Sequence, residues 1–362
     1  MKTRMCDSWR YVWVCVLCGL LAGCGGGGST KKKTTADWLQ FRGPKGNAAA
    51  VGTAPAAWNE STNTGIVWKT AVTLSGASSP IITRGKVFLT GANESTRTVY
   101  CYDAETGATL WERNVVISGS PTQTSVYDGS GESITYAACS AASDGTNVYA
   151  LFGNGDVAAF DMSGTLVWSR NLTLPVNSWG HSTSLLVYKS VLIVQYDQEA
   201  VWSNEDGEWI SISRLLALNA NSGATVWEKS GADRPVSWSM TSPIIITAGG
   251  KDQLIAVSHG LIDEAASSVG PDIFSYNPLT GDEYWRCAAL GLSYDGFVPS
   301  PIFVGGRVIV VGGGFALGID PTGTGDVTDT HIAWNCSGVG SHDLCSPRSE
   351  EHTSELQSRQ VI

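Results

Sequence analysis

The chain has 362 residues, a formal net charge of −10 at pH 7 and only 15% charged residues, while 43% of its residues are hydrophobic. An acidic chain of this kind lacks the basic face that binding to nucleic-acid phosphates requires, so we expect no nucleic-acid partner. The lysines at 31–33 form the only basic run. We interpret them as part of a solvated linker, with attraction to anionic lipid headgroups as an alternative.

The N-terminus has the layout of a secretory signal. Three basic residues precede an apolar stretch at 11–22, which is too short to span a bilayer as a permanent helix. The stretch ends in Leu-Ala-Gly-Cys, which resembles the lipobox of bacterial lipoproteins, where the cysteine becomes the lipidated first residue. We therefore predict a signal peptide at 1–23, lipidation of Cys24 and a flexible glycine-rich tether at 24–36. A plain or uncleaved secretory signal is the alternative.

These features predict a lipoprotein of the bacterial cell envelope that faces the periplasm and contacts the membrane through its lipid anchor. Gly25 follows the cysteine. By the sorting rule of enteric bacteria, the absence of Asp at this position favours the outer membrane.

One pattern occurs four times between residues 103 and 285: Asp or Asn, a turn that contains Gly, and then Trp. Its tryptophans are 57, 59 and 58 residues apart, and a fixed period of this size indicates stacked structural units. The Asp or Asn can bind the backbone of the turn, glycine can adopt the positive φ that the turn needs, and Trp can pack between units. The predicted structural positions are Gly107, Trp111, Gly164, Trp168, Gly223, Trp227, Gly281 and Trp285.

Each repeat also contains the signals of four short strands. An apolar run precedes each turn, at 99–102, 157–160, 215–218 and 273–276. Between the repeats, Ser followed by Pro introduces two further apolar strands after Ser79, Ser242 and Ser300, and variants without Pro lie at 184–186 and 139–151. Four antiparallel strands per repeat with little helical periodicity predict an all-β fold, a β-propeller of four-stranded blades.

These residues resemble a known family. The pattern Ala-x-Asp-x-x-Thr-Gly-x-x-x-Trp, which begins here at Cys101 and in a variant at Ala217, resembles the repeat of the pyrroloquinoline quinone (PQQ)-like β-propellers. The opening Trp-Leu-Gln-Phe-Arg-Gly-Pro at 38–44 and the Gly-Asp-Val-Thr at 325–328 resemble a bacterial branch described as similar to the lipoprotein of the outer-membrane β-barrel assembly machinery. The resemblance covers residues 37–347 and implies seven or eight blades.

The C-terminal residues do not continue the repeat. Residues 348–358 resemble the translation of a widely used sequencing adapter, and Ser346-Pro347 runs into charged residues instead of an apolar strand. We therefore expect an incomplete, C-terminally truncated propeller with open sheet edges at 37–347 and a non-native tail at 348–362. An acidic disordered tail is the alternative. About six blades are predicted from the blade-closing tryptophans, which are Trp68, Trp111, Trp168, Trp227, Trp285 and Trp334.

The cysteines do not form a disulfide framework. Three of the nine lie in the predicted signal, Cys24 is the predicted anchor, and the odd, irregularly spaced remainder predicts mostly buried free thiols. A pair between Cys336 and Cys345 is the alternative. Neither the histidines nor the cysteines show metal-ligand or haem-attachment spacing, so we expect no metal and no haem.

Candidate functional residues lie where the chain enters the innermost strand of a blade, at the mouth of the central channel. These entry segments occupy corresponding positions but differ in chemistry, which is typical of a binding surface on a repeated scaffold. We expect His181 to be a hydrogen-bonded histidine, with an acid–base role as the alternative. Packing is an equal alternative for the two tryptophans. The candidates in the entry segments are Trp179, His181, Trp238 and Met240, and they are joined by Asp197 and Gln198, which follow the predicted strand at 191–195.

Two classes of function stay open. The first is a non-catalytic scaffold that binds an envelope protein or a small ligand and needs no cofactor. The second is a PQQ-dependent dehydrogenase, for which the resemblance implies a quinone with Ca²⁺, an adjacent Cys pair and an Asp beside metal-binding Glu and Asn. The sequence has no adjacent Cys pair, and the entry segments hold no acidic cluster beyond Asp343. We therefore favour the scaffold and assign no catalytic residue.

Overall fold

The computed structural model describes residues 11–12, 37–50, 56–122, 126–127, 133–134, 136–177, 180–205, 207–261, 271–288, 298–312, 314–338 and 346–348. Apart from one turn of 3₁₀ helix at Gly231–Asp233, the regular structure is entirely β. In chain order the strands are β1 (Tyr11–Val12), β2 (Thr70–Ala71), β3 (Ile81–Thr83), β4 (Lys86–Ala92), β5 (Arg97–Asp103), β6 (Thr109–Asn114), β7 (Val126–Tyr127), β8 (Ser133–Ile134), β9 (Ala142–Ser143), β10 (Asn147–Leu151), β11 (Asp156–Asp161), β12 (Leu166–Asn171), β13 (Leu186–Tyr188), β14 (Val191–Tyr196), β15 (Val201–Ser203), β16 (Glu208–Ile210), β17 (Arg214–Asn219), β18 (Thr225–Ser230), β19 (Ile244–Ala248), β20 (Lys251–His259), β21 (Pro271–Tyr276), β22 (Glu283–Ala288), β23 (Ile302–Val304), β24 (Arg307–Gly312), β25 (Phe315–Ile319), β26 (Gly325–Asp326) and β27 (Ile332–Ser337).

Within these residues the strands form five antiparallel four-stranded sheets, the blades of a β-propeller. In order from the innermost strand outward, the blades are β3–β6, β9–β12, β13 with β14, β17 and β18, β19–β22, and β23–β25 with β27. The fourth sheet gains β26 as a fifth strand, parallel to β22. The pairs β1–β2, β7–β8 and β15–β16 are separate two-stranded sheets. The predicted all-β propeller is confirmed, and the apolar runs at 99–102, 157–160, 215–218 and 273–276 lie within β5, β11, β17 and β21. In the variant at 184–186 only Leu186 lies in a strand.

Two faces of the propeller need names. The upper face holds the connections between the second and third strands of each blade and the connections between successive blades. The lower face holds the remaining turns, including those that contain the repeated Asp or Asn. In the first blade, Oδ1 of Asp103 accepts hydrogen bonds from the backbone N–H groups of Glu105 (3.1 Å) and Thr106 (2.9 Å), so this carboxylate is used by its own turn.

A tryptophan–glycine contact joins each blade to the next. A Cβ placed on Gly223 would lie 2.5 Å from the ring of Trp168 in the preceding blade, so only glycine lets the indole lie flat on the turn. The indole N–H of Trp168 then donates to the backbone oxygen of Ala220 at 2.8 Å. The contact recurs between Trp68 and Gly107, Trp111 and Gly164, and Trp227 and Gly281.

The last two tryptophans of the series depart from this arrangement. Trp285 is fully buried, but its N–H donates to the side-chain oxygen of Gln253 at 2.9 Å instead of to a turn of the next blade. Trp334 is 41% exposed, whereas the other five blade-closing tryptophans are at most 9% exposed. The six tryptophans therefore correspond to five described sheets, with Trp68 standing ahead of the first. The ring of Trp334 lies against Gly318 of its own sheet and stays partly exposed.

A chain of serines joins the blades close to the channel. The backbone N–H of each serine donates to the side-chain oxygen of its equivalent in the next blade, with distances of 2.9–3.1 Å. Each of the first five serines lies two residues ahead of an innermost strand, where its N–H has no partner within its own sheet. The serines are Ser79, Ser140, Ser184, Ser242, Ser300 and Ser346.

The residues ahead of the first blade run along the innermost strands. The backbone of Trp38 pairs with β3, and the N–H of Ser143 in β9 donates to the oxygen of Leu39 at 2.8 Å. Further on, Nη1 of Arg42 donates to the backbone oxygen of Ser300 at 3.2 Å. Burial lowers the pKa of Arg42 to about 10. The segment therefore ties the first, second and fifth blades together across the channel.

Three of the predicted free thiols are buried, those of Cys101, Cys139 and Cys287. Cys336 is a free, exposed thiol, while Cys345 lies outside the described residues. Cys24 and most of the predicted signal also lie outside them. In the part of the chain that the structure describes, no helix is long and apolar enough to cross a membrane.

The tryptophan–glycine contact can be separated from turn strain by comparing two glycines of the first blade. Gly107→Ala should lower the free energy of unfolding by about 2–5 kcal/mol, because alanine strains a φ of +71° and also meets the Trp68 ring at 2.5 Å. Gly85 has a φ of +72° with no atom within 4 Å, so Gly85→Ala should cost only about 1–2 kcal/mol. Urea unfolding followed by tryptophan fluorescence measures both, and equal losses would contradict this role of the contact.

Candidate functional site

The described candidates all lie on the upper face, around the third and fourth blades. His181 lies in the connection into the third blade, Asp197 and Gln198 follow β14, and Trp238 and Met240 lie in the connection into the fourth blade. Trp179 lies outside the described residues. The sequence-based prediction therefore selected neighbouring loops on one face.

Asp197 forms a fully buried ion pair with Arg234. Its Oδ2 also accepts hydrogen bonds from the hydroxyl of Ser258 and from Nε2 of Gln195, both at 2.7 Å. Burial opposes the charge on Arg234, but attraction and hydrogen bonding to Asp197 outweigh it and raise the arginine pKa. The carboxylate is thus neutralised, and the pair links the third blade to the fourth.

Sequence reasoning found the carboxylate of this pair but not its partner. Arg234 lies in the segment Gly-Ala-Asp-Arg-Pro between two blades, which reads as a solvent-exposed loop. A charged residue immediately before Pro at the end of such a loop is only a weak indication of a buried ion pair. Only the folded chain shows that the guanidinium points inward to Asp197.

Gln198 ties the base of a long loop to its neighbours. Its Nε2 donates to the backbone oxygen of Ile212 at 2.7 Å, and its Oε1 accepts from the N–H of Val176 at 3.0 Å. Its backbone N–H donates to the hydroxyl of Ser213 at 2.9 Å. Gln198 is therefore committed to holding the connection between β14 and β17 in place.

His181 is buried against Tyr196, with ring centroids 4.6 Å apart. Contrary to the expected hydrogen-bonded histidine, neither ring nitrogen has a hydrogen-bond partner among the described residues. Burial lowers its pKa to about 4, although nearby Asp197 opposes that shift. The imidazole is therefore neutral at pH 7, without a carboxylate that orients it.

Trp238 and Met240 are half-buried, while the residues between and after them are tied down. Ser239 donates through its hydroxyl to the backbone oxygen of Val257 at 3.1 Å, and the hydroxyl of Thr241 donates to the same oxygen at 2.5 Å. This alternation leaves Trp238 and Met240 as the partly exposed side chains of the segment. The indole of Trp238 lies parallel to the ring of His259, with centroids 6.3 Å apart.

The acidic groups of this face do not form a metal-ligand set. Burial raises the pKa of Asp272 to about 6, although Arg234 opposes the shift. Within the described ranges, no three His, Cys, Asp or Glu side chains lie close enough to hold an ion. The region of the upper face around the candidates therefore combines the internal Asp197–Arg234 pair with half-buried aromatic and apolar side chains.

Four-stranded sheets that are joined by a tryptophan on the glycine of the next turn define a β-propeller of PQQ-like repeats. The chain belongs to the family described as outer membrane protein assembly factor BamB, whose model matches residues 43–209 and 211–351.

Similar proteins include two dehydrogenases and a BamB protein. The chain is 35% identical to a quinoprotein ethanol dehydrogenase of Pseudomonas aeruginosa over 71 residues, which are 20% of this chain and 11% of that protein. Among solved structures, BamB from Moraxella catarrhalis is 18% identical over 78% of this chain and 70% of its own, with a TM-score of 0.48. A europium-containing methanol dehydrogenase is 14% identical over 76% of this chain and 54% of its own, with a TM-score of 0.50. The chain thus spans about half the length of the second structure, and the likeness shows the fold alone.

Removal of Arg234 should reveal the cost of leaving Asp197 buried without its partner. Arg234→Met is expected to lower the free energy of unfolding by about 3–5 kcal/mol. Asp197→Asn in the same chain should recover part of the loss, because the uncompensated charge is gone. Arg286→Met is the control: it breaks an exposed pair with Asp326 (3.8 Å) and should cost no more than about 1 kcal/mol. Chemical unfolding at pH 7 measures the stability of all these variants. A loss of stability in Arg234→Met no larger than that in Arg286→Met would contradict this cost of the unpaired Asp197.

The buried His181 should make the protein acid-sensitive. Its folded-state pKa of about 4 lies below the ordinary value of 6.5. Above pH 6.5 the imidazole is neutral in both states, but between 6.5 and 4 only the unfolded chain takes up the proton. Stability is therefore lost as the pH falls through this window, by up to about 3 kcal/mol.

Unfolding by urea at pH 7 and pH 4.5 tests this for the original chain and for His181→Gln. The original chain should lose about 2–3 kcal/mol more than the variant on acidification. If both lose the same amount, the titration of His181 does not contribute.

Proposed function

We propose that this protein is a lipid-anchored β-propeller of the bacterial cell envelope that binds a protein or a small ligand through its upper face and does not catalyse a reaction. Membership in a family described as an outer membrane assembly factor supports a periplasmic, outer-membrane-associated location. The lipobox-like sequence that ends at Cys24 supports the anchor. The acidic composition agrees with a protein or small-molecule partner instead of nucleic acid.

The buried Asp197–Arg234 pair is the observation that carries the non-catalytic function. A general base needs a carboxylate or imidazole that reaches a substrate in the correct protonation state. Here the central carboxylate is held by a guanidinium, an amide and a hydroxyl, and the neighbouring His181 is buried. The same pair fixes the loops that present Trp238 and Met240, as a preorganised binding surface requires.

A PQQ-dependent dehydrogenase is the second candidate, favoured by the local identity to a quinoprotein ethanol dehydrogenase. Such an enzyme would need the quinone and Ca²⁺, which is held by carboxylate and amide oxygens. Asp197 is already neutralised, and the described residues bring together no three acidic or other ligand side chains. The residues present therefore do not fit this cofactor, and we derive no step through it.

Two measurements on the full-length protein test the proposal. With added PQQ and Ca²⁺, we expect no dye-linked oxidation of ethanol or glucose, and turnover would establish the enzymatic alternative. A photo-crosslinking amino acid at Met240 should give a defined adduct in the envelope of the native bacterium. The same amino acid at Glu105, in a lower-face turn, is the control, and equal crosslinking from both positions would contradict an upper-face site.

A further inference from the structure

A β-hairpin projects from the upper face in the connection between β14 and β17. Its strands, β15 and β16, pair with each other and with no other described strand. Trp202 and Trp209 are directly opposite in the ladder, with ring centroids 5.6 Å apart in an edge-to-face arrangement. Gln198 fixes the base of the hairpin through its bonds to Val176 and Ile212.

One face of the hairpin exposes an apolar surface, which we call the hairpin patch: Trp202 and Trp209, with Val176 at the base. Trp202 is 44% exposed and Val176 is 47% exposed. The N–H of Glu199 donates to the oxygen of Val176 at 2.8 Å, so Val176 lies beside the base of the hairpin. A cross-strand tryptophan pair can stabilise an isolated hairpin, but that role does not require a further exposed apolar side chain, Val176, at the base of the hairpin.

The chain segment that contains the hairpin carries only negatively charged side chains. Residues 190–213 contain five carboxylates and no Lys, Arg or His. Asp197 is neutralised inside the protein by Arg234. Glu205 and Glu208 are exposed, and neither forms an ion pair with a described residue. A partner that covers this patch must therefore bring apolar groups and positive charge together.

We propose that the hairpin patch binds an extended segment of a partner protein in which apolar side chains alternate with Lys or Arg. A segment that pairs along an edge of the hairpin places its apolar side chains on the face that carries the indole rings and its cations on the opposite face, which carries Glu208. The outer edge of β15 or β16 can bond to the backbone of the segment. Anionic lipids and nucleic acids would be repelled.

This inference rests on the proposed binding function and names the class of its partner. The test uses three fluorescein-labelled 12-residue peptides that alternate Val with Arg, Val with Glu, and Ser with Arg. Fluorescence anisotropy with the full-length protein should show binding of the Val/Arg peptide only, with the other two at least about tenfold weaker. Equal binding of the Val/Arg and Ser/Arg peptides would show that the interaction depends on charge alone, and it would overturn the proposal.

The variants locate the binding. Trp202→Ala should weaken the Val/Arg peptide at least about tenfold, and Glu205→Gln with Glu208→Gln should weaken it severalfold and reduce its salt dependence. Trp202→Phe, which preserves an aromatic face, should retain most of the binding and shows that loss in the alanine variant is not misfolding. Trp58→Ala and Glu105→Gln are the controls, because Trp58 is 66% exposed outside the patch and Glu105 lies on the lower face.

Unchanged binding in Trp202→Ala would overturn the hairpin patch as the site. If Met240 crosslinks a partner while no peptide binds, the partner chemistry is wrong but the binding function stands. Quinone-dependent turnover would instead overturn the proposed function, whatever the peptides do.

Discussion

The fold depends on the contact between the tryptophan of one blade and the glycine turn of the next. A four-stranded sheet has two apolar faces, and a blade has no element of its own that can cover them. The flat indole covers this surface only if the turn below it has no Cβ, as the 2.5 Å approach of Trp168 to the Cβ position of Gly223 shows. The indole N–H also takes a backbone oxygen of the next blade, so the contact fixes orientation as well as area.

The hydrogen-bonded serines also join neighbouring blades, but nearer the propeller axis. The tryptophans join the outer strands of neighbouring blades, and the serines join the segments that enter the inner strands. The tryptophan and serine contacts lie at different distances from the propeller axis, so together they fix the angle between neighbouring blades. Either set alone would leave that angle free to change. The turns and inner strands are consequently committed to structure, and variation is tolerated mainly in the connections of the upper face.

The buried ion pair between Asp197 and Arg234 adds a further link between the third and fourth blades, which the Trp227–Gly281 contact and the Ser184–Ser242 hydrogen bond also join. Removing two charges from water is costly, and a well-packed apolar pair would often be at least as stable. A charged pair, however, accepts only a few geometries. Two hydrogen bonds to Asp197, from Gln195 and Ser258, restrict them further. We therefore attribute to the pair the relative position of the long third-blade loop and the fourth blade.

The sequence was sufficient to predict the propeller because its signals are local and repeated. Asp103 and Gly107 predict their turn from adjacent residues alone, and the period shows that Trp111 lies between units. The site is a different problem. Arg234 is 37 residues from Asp197, and no local pattern couples them. The lack of a partner for His181 likewise depends on the residues that surround it after folding.

The hairpin of β15 and β16 could have been found from the sequence. It is encoded by Val-Trp-Ser, then Asn-Glu-Asp-Gly, then Glu-Trp-Ile, and a turn with Asp-Gly between two aromatic strands is a recognised hairpin signal. The blade period concealed it, because the hairpin lies inside one repeat and has no counterpart in the described connections between the second and third strands of the other blades. Such an insertion becomes visible only when the lengths of corresponding strand-to-strand connections are compared between repeats.

The fourth and fifth blades show how far the repeat can change without loss of the interface. The turn that should cover Trp285 is lengthened, and its residues Gly325–Asp326 form β26, which pairs in parallel beside Trp285. Trp285 is still fully buried, with Gln253 as its hydrogen-bond partner in place of a turn carbonyl. What is required is thus a covered indole with a satisfied N–H, and the glycine turn is one way to meet that requirement. Because the requirement is so general, the repeated core by itself does not determine what such a propeller does, and function has to be argued from the residues of its site.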